Sequence, residues 1–131
     1  MKRLFGIRGA VCAENTAASI GRATVRLCSR LLEENRLSAE DIVSMHFTLT
    51  RDLDACNPCA AFRRDYRQMN TAGIALFCSQ EAFVQGGLPK VVRLLVTAYL
   101  EEGSSLRHVY LDGAEVLRPD FGTPPSAECT S

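Results

Sequence analysis

The sequence predicts an α+β fold: a mixed β-sheet with one long helix over one face and short helices besides. Three observations carry this. Several short runs alternate apolar with small or polar residues, one stretch between Thr16 and Asn35 repeats its apolar positions every three or four residues, and the elements follow the order β-α-β-(short α)-β-β-β. There is no internal repeat and no linker.

Leu4 to Val11 reads as a strand with Phe5, Ile7, Gly9 and Val11 on one face and Leu4, Gly6, Arg8 and Ala10 on the other. Gly6 and Ala10 leave room beside Arg8. Asn15 and Thr16 offer N-cap oxygens, and Ile20, Thr24, Leu27 and Leu31 then define an amphipathic helix that runs to about Asn35. Its wet side is mostly Arg22, Arg26, Arg30, Glu33 and Glu34.

Ser38 to Asp41 forms a capping-type turn into a half-buried strand from Ile42 to Leu49, where Val43, Met45, Phe47 and Leu49 alternate with Ser44, His46 and Thr48. His46 reads there as a solvated residue. The Asn57-Pro58 pair starts a short helix that includes Ala60 to Tyr66, and Ile74 to Cys78 is a short apolar strand. Ser79 to Phe83, with Gly86 to Pro89, reads as a loop or a single helical turn. In the next strand, Lys90 to Leu100, one face holds Val92, Leu94, Val96, Ala98 and Leu100 and the other Val91, Arg93, Leu95, Thr97 and Tyr99. A last strand from Leu106 to Leu111 places His108 and Tyr110 together on one face. From Gly122, Pro124-Pro125 and small polar residues read as a flexible tail, residues 122–131, behind a single domain of residues 1–121.

At 131 residues the chain is large enough to bury roughly two thirds of its unfolded surface, so the fold needs no disulfide staple. Fifteen basic residues balance fifteen acidic ones, which favours neither nucleic acid nor an anionic membrane. Any anion must therefore be bound locally. The six cysteines, Cys12, Cys28, Cys56, Cys59, Cys78 and Cys129, are irregularly spaced and read as reduced thiols of a cytoplasmic protein. No signal-type or membrane-spanning apolar run occurs, since Arg8 interrupts the first one.

Arg93 is the most telling residue because it interrupts the most apolar run, where a guanidinium is costly unless an anion meets it. Arg8 stands in similar surroundings. Glu81 follows a strand end, a place from which site residues often project, yet it could neutralise only one arginine. A dianionic ligand would engage both. Cys56 and Cys59 match a redox or metal spacing, but zinc would need two further ligands and a thioredoxin-like unit a different order of elements; no metal and no cofactor is expected. The face that carries Arg93 also carries Leu95, Tyr99 and Phe77, too apolar to stay fully wet, so oligomerisation is expected to cover it.

Phe5 to Ala10, Asp52-Leu53, Cys78 to Glu81, Gly86 to Leu88, Arg93, Arg107 to Leu111 and Val116 to Asp120 together, in this order, closely resemble the AroH-class chorismate mutases over nearly the whole chain. The resemblance implies a homotrimer whose sheets pack into a barrel-like core with helices outside and an active site at each subunit cleft. It implies rearrangement of chorismate to prephenate in the biosynthesis of phenylalanine and tyrosine, without covalent catalysis. By this resemblance Arg93 meets the ether oxygen and a carboxylate, Arg8 clamps a carboxylate with Tyr110 donating to it, and Glu81 accepts from the ring hydroxyl. Cys78 lies beside Glu81, Phe77, Ser79 and Gln80 line the pocket, and Arg63 and Leu117 come from the lip or tail. At the lip the pattern differs, with Asn57 and Ala60 where an aromatic and a lysine are usual. A second reading of another class is a trimeric carboxylate-binding or imine-deaminating protein of the Rid type, which would not need a second arginine together with Glu81. A redox module on Cys56 and Cys59 is a third.

Overall fold

The computed structural model describes residues 1–118, and the expected tail, with Cys129, lies outside them. Five strands form one mixed sheet: β1 (Lys2–Cys12), β2 (Ile42–Leu49), β3 (Ala75–Gln80), β4 (Val91–Glu101) and β5 (Val109–Leu111), in the spatial order β3-β2-β4-β1-β5. The long strands β1 and β4 pair antiparallel from Lys2 opposite Glu101 to Cys12 opposite Val91. β2 is antiparallel to β4, while the short strands β3 and β5 add parallel to β2 and β1.

Two helices cover one face, α1 (Ala17–Glu34) and α2 (Pro58–Asp65). Both start as their sequences dictate. Thr16 accepts the Ser19 N–H at 3.0 Å, and Asn57 accepts the Cys59 N–H at 2.8 Å with Pro58 in the first helical turn, where its missing N–H costs nothing. Ile20, Leu27, Cys28, Leu31 and Leu32 of α1 meet Ile7, Val11, Met45, Phe47, Val92, Leu94 and Val96 in the main core. Phe62 of α2 joins them between Phe47 and a stacked Tyr66. Gly9 permits this packing: a Cβ there would come within 2.9 Å of the Val109 carbonyl oxygen and 3.0 Å of Leu27 and Leu31.

Three expectations change. A β-bulge between Ile42 and Ser44 turns Ile42 inward and leaves Val43 exposed, so the alternation holds only from Ser44 onward. β3 begins one residue later than expected and runs on through Gln80. The last strand is confined to Val109–Leu111 because its forerunners are paired otherwise. The Asn35 side chain takes both the N–H and the carbonyl of Arg107, at 2.9 Å each, and the His108 ring accepts the Arg8 N–H at 3.0 Å. Those groups are then unavailable to a ladder.

Candidate active site

The site lies on the sheet face away from the helices. Directly opposed strand residues share a face, so the registers Ser79–Thr48, Thr48–Arg93, Arg93–Ala10 and Ala10–Tyr110 set one row across all five strands. The next row is Phe77, His46, Leu95 and Arg8. Ala10 is small enough to separate Arg93 from Tyr110 without covering either, and at the usual strand spacing their backbones stand about 10 Å apart. Tyr110, Val91, Ala114 and Leu117 form a second buried cluster with Ala10. This cluster floors one end of the face.

Glu81 continues the β3 path beyond Gln80, its N–H donating to the Leu49 carbonyl at 2.7 Å. The Thr48 hydroxyl donates to Oε1 of Glu81, and Nε of Arg93 stands 3.6 Å from that same oxygen, within ion-pair range and beyond a hydrogen bond. The Arg93 side chain keeps 45% of its surface exposed and Glu81 27%, so the pair is open to a ligand. A cleft of about 680 Å³ opens over them, with Leu117 and Val116 on one side and the Glu81–Pro89 loop on the other. At the mouth the Arg51 guanidinium lies over the Phe83 ring, 3.7 Å from its centre.

The structure thus brings Arg93, Glu81 and Leu117 to one cleft, with Tyr110, Arg8 and Ser79 on the same face. Arg8 is exposed, and Ser79 is hydrogen-bonded to Nε2 of His46 at 2.9 Å. Phe77 stands edge-on to His46 and is 64% exposed. His46 is accordingly half-buried and partnered, not solvated.

Three of the expected residues sit elsewhere. Cys78 is opposite Phe47 and Gln80 opposite Leu49, both on the helix-covered face, and burial pushes the Cys78 thiol up. Arg63 is exposed in the last turn of α2, close enough to Cys59 for its charge to act on that thiol. Within one chain these three do not approach Arg93. Thr48, Arg51 and Phe83, in turn, were not picked out from sequence. Arg51 had a usable signal, a cation two residues past the end of a strand, whereas a threonine on a polar strand face has none.

The family described as chorismate mutase type I matches residues 4–121. Chorismate mutase AroH of Bacillus subtilis is 36% identical over 125 residues, covering 94% of this chain and 96% of its own, and its Thermus thermophilus namesake is 37% identical over 119 residues, covering 88% and 94%. The solved chorismate mutase from Clostridium thermocellum superposes with a TM-score of 0.78 at 38% identity, over 86% of this chain and 99% of that one. A Rid-type protein finds no support in these likenesses, and the chain belongs to the type I, AroH-class chorismate mutases.

Proposed function

We propose that this chorismate mutase rearranges chorismate to prephenate in the cleft above Arg93 and Glu81, and that the cleft is completed by a neighbouring subunit of a homotrimer. The observation that carries the reading is the charge arrangement: Arg8 and Arg93 share one semi-apolar sheet face, and Glu81, 3.6 Å from Arg93, is the acidic side chain paired there. One carboxylate against two guanidiniums leaves a cationic excess suited to a dicarboxylate.

The chemistry asks little more. In the rearrangement an ether C–O bond breaks as a C–C bond forms, with no proton transferred and no nucleophile consumed. Binding must hold the compact conformer and place positive charge where the ether oxygen becomes negative. Arg93 supplies that charge, worth about 3 to 4 kcal/mol by analogy with other oxyanion sites. Tyr110 at the far end of that row and Arg8 in the next row hold a carboxylate, Glu81 accepts from the ring hydroxyl, and Leu117 packs on the ring. Thiol chemistry is disfavoured, since burial holds Cys78 in its protonated form at neutral pH.

Two features support the shared cleft. Leu4, Phe77, Leu95 and Tyr99 leave between 43% and 64% of their surface exposed on the same face as the arginines, an apolar area that trimer packing would cover. Cys78, Gln80 and Arg63 lie on the opposite side, where they could reach a ligand only from an adjacent subunit. The free thiols of the described cysteines suit a reducing, cytoplasmic setting.

Loss of the chorismate diene absorbance tests turnover; a purified protein that leaves it unchanged overturns the assignment of the cleft. Subunit mixing tests the sharing. Arg93→Lys and Arg63→Glu are each expected to be nearly inactive, and trimers reassembled from equal amounts should regain about a quarter of wild-type activity, because a random pairing of adjacent subunits unites two intact halves that often. No recovery would place the whole site in one chain. An active Arg63→Glu protein would remove Arg63 from the site.

A further inference from the structure

Thr48 has a hydroxyl on the site face, and that hydroxyl has only one proton to give. It gives it to Oε1 of Glu81, the oxygen that also faces Nε of Arg93 at 3.6 Å. The register brings the groups within reach: Thr48 lies directly opposite Arg93 on one side and Ser79 on the other, and Glu81 follows two residues beyond Ser79. Glu81 is tethered from the backbone as well, through its N–H to the Leu49 carbonyl. Among the described residues nothing else binds the Glu81 carboxylate, so Oε2 is left for a ligand.

We propose that Thr48 is a positioning residue of the active site, which acts by holding Glu81 off Arg93. An arginine beside a carboxylate tends toward a two-pronged pair, with two parallel N–H···O bonds that would occupy the guanidinium edge and offset its charge. Thr48 occupies the shared oxygen and keeps the approach at 3.6 Å, so that the terminal nitrogens of Arg93 stay available to the ether oxygen while Oε2 of Glu81 stays available to the ring hydroxyl. This inference rests on the roles given above to Arg93 and Glu81, and deepens them.

Thr48→Val keeps the branched shape and suits a strand, so the protein is expected to fold, while the hydroxyl is lost. The Glu81 carboxylate should then close on Arg93. The expected result is a fall in kcat of about tenfold with a smaller change in KM, the size of one lost hydrogen bond. Thr48→Ser, which restores the donor, should return kcat to within about threefold of wild type.

The deciding measurement is a double-mutant cycle on kcat, because a merely structural Thr48 would cost the same in any background. With Glu81→Ala in place there is no carboxylate to hold, and adding Thr48→Val should change kcat by less than about twofold. If Glu81→Ala is slow but Thr48→Val is harmless, or costs as much with Glu81 absent as present, the Thr48 role is wrong and the site reading stands. If Glu81→Ala turns over like wild type, Glu81 has no part in the reaction and both readings fail.

Discussion

The Lys90 backbone N–H is shared between both carboxylate oxygens of Asp52, 3.1 Å from each, in a residue whose φ is +56°. Lysine seldom adopts that conformation, which costs free energy that neighbouring contacts must offset. Further contacts contribute: the Ala13 N–H donates to the Lys90 carbonyl at 3.0 Å, and Nζ of Lys90 meets Glu14 at 2.9 Å. The Thr50 hydroxyl donates to Asp52 at 2.5 Å and its oxygen accepts the Val91 N–H at 3.0 Å. Lys90 ends the loop that walls the cleft, and Arg93 follows three residues later, so this knot fixes both the wall and the start of β4.

Replacing Asp52 with alanine should therefore cost both stability and rate. An N–H bonded to a charged acceptor contributes about 1.5 to 3 kcal/mol, and the lower half of that range is expected at this exposed position. Thermal unfolding should show the loss, and kcat/KM should fall with it. A variant with wild-type kcat/KM would show that the loop does not depend on the knot.

Arg93→Lys should reduce kcat by about 10² to 10³ while leaving the fold intact. Lysine places a point charge but cannot present a planar fork to an ether oxygen and a carboxylate together. Arg93 is exposed on an otherwise intact strand, so the unfolding midpoint should hardly move. Retention of most of the activity would remove Arg93 from the breaking C–O bond.

Arg93 and Thr48 stand at opposite ends of what the sequence makes legible. Arg93 betrays itself by charge in an apolar run, and strand alternation alone assigns it to the face away from the core. The same alternation sets Cys78 on the face opposite Ser79, whereas the family resemblance puts it beside Glu81, a placement that local pattern alone does not supply. Thr48 gives no sign in sequence, because its importance comes from a contact across 33 positions that depends on the β2–β3 register. The shortened β5 was hidden for a similar reason. Asn35 reads as a helix terminator, but its side chain also reaches Arg107, 72 positions away, and no local pattern reports that.

The buried thiols predict how stability responds to base. Burial, and then the nearby Cys78, push Cys59 from its ordinary 9.0 up to about 11. The folded protein thus keeps a proton that the unfolded chain releases near pH 9, so stability is full below pH 9 and falls as pH rises toward 11, by roughly 2 to 3 kcal/mol for this group. Cys28 and Tyr66, both raised by burial, add to the fall with the same sign. Urea midpoints at about pH 8 and about pH 10.5 should differ less in Cys59→Ala than in wild type. Equal differences would mean that Cys59 ionises freely in the folded state.

The Cys56→Ser, Cys59→Ser double variant should turn over chorismate at close to the wild-type rate. Cys59 is 6% exposed and packs the first turn of α2 against the core, on the side of the sheet away from Arg93 within the chain. A thiol held protonated to about pH 11 is a poor nucleophile and a poor redox partner at neutral pH. A large fall in kcat, with the unfolding midpoint preserved, would revive a redox or metal role for the pair.

Thr24 tests the opposite side of the molecule. Its Oγ1 is fully buried in α1 and finds no hydrogen-bond partner among the described residues. A hydroxyl removed from water without a new partner costs about 1 to 3 kcal/mol, whereas valine has the same shape and a similar helix propensity. Thr24→Val should accordingly raise stability by about 1 kcal/mol, read as a higher urea midpoint with an unchanged slope. Thr24→Ala removes the same hydroxyl but also a methyl group, so it should gain less or lose stability through the cavity it leaves. Turnover should not change in either variant, because the sheet stands between Thr24 and the arginine face. If Thr24→Val is instead destabilised by more than about 1 kcal/mol, the hydroxyl has a partner in solution and the helix is anchored there by a polar contact.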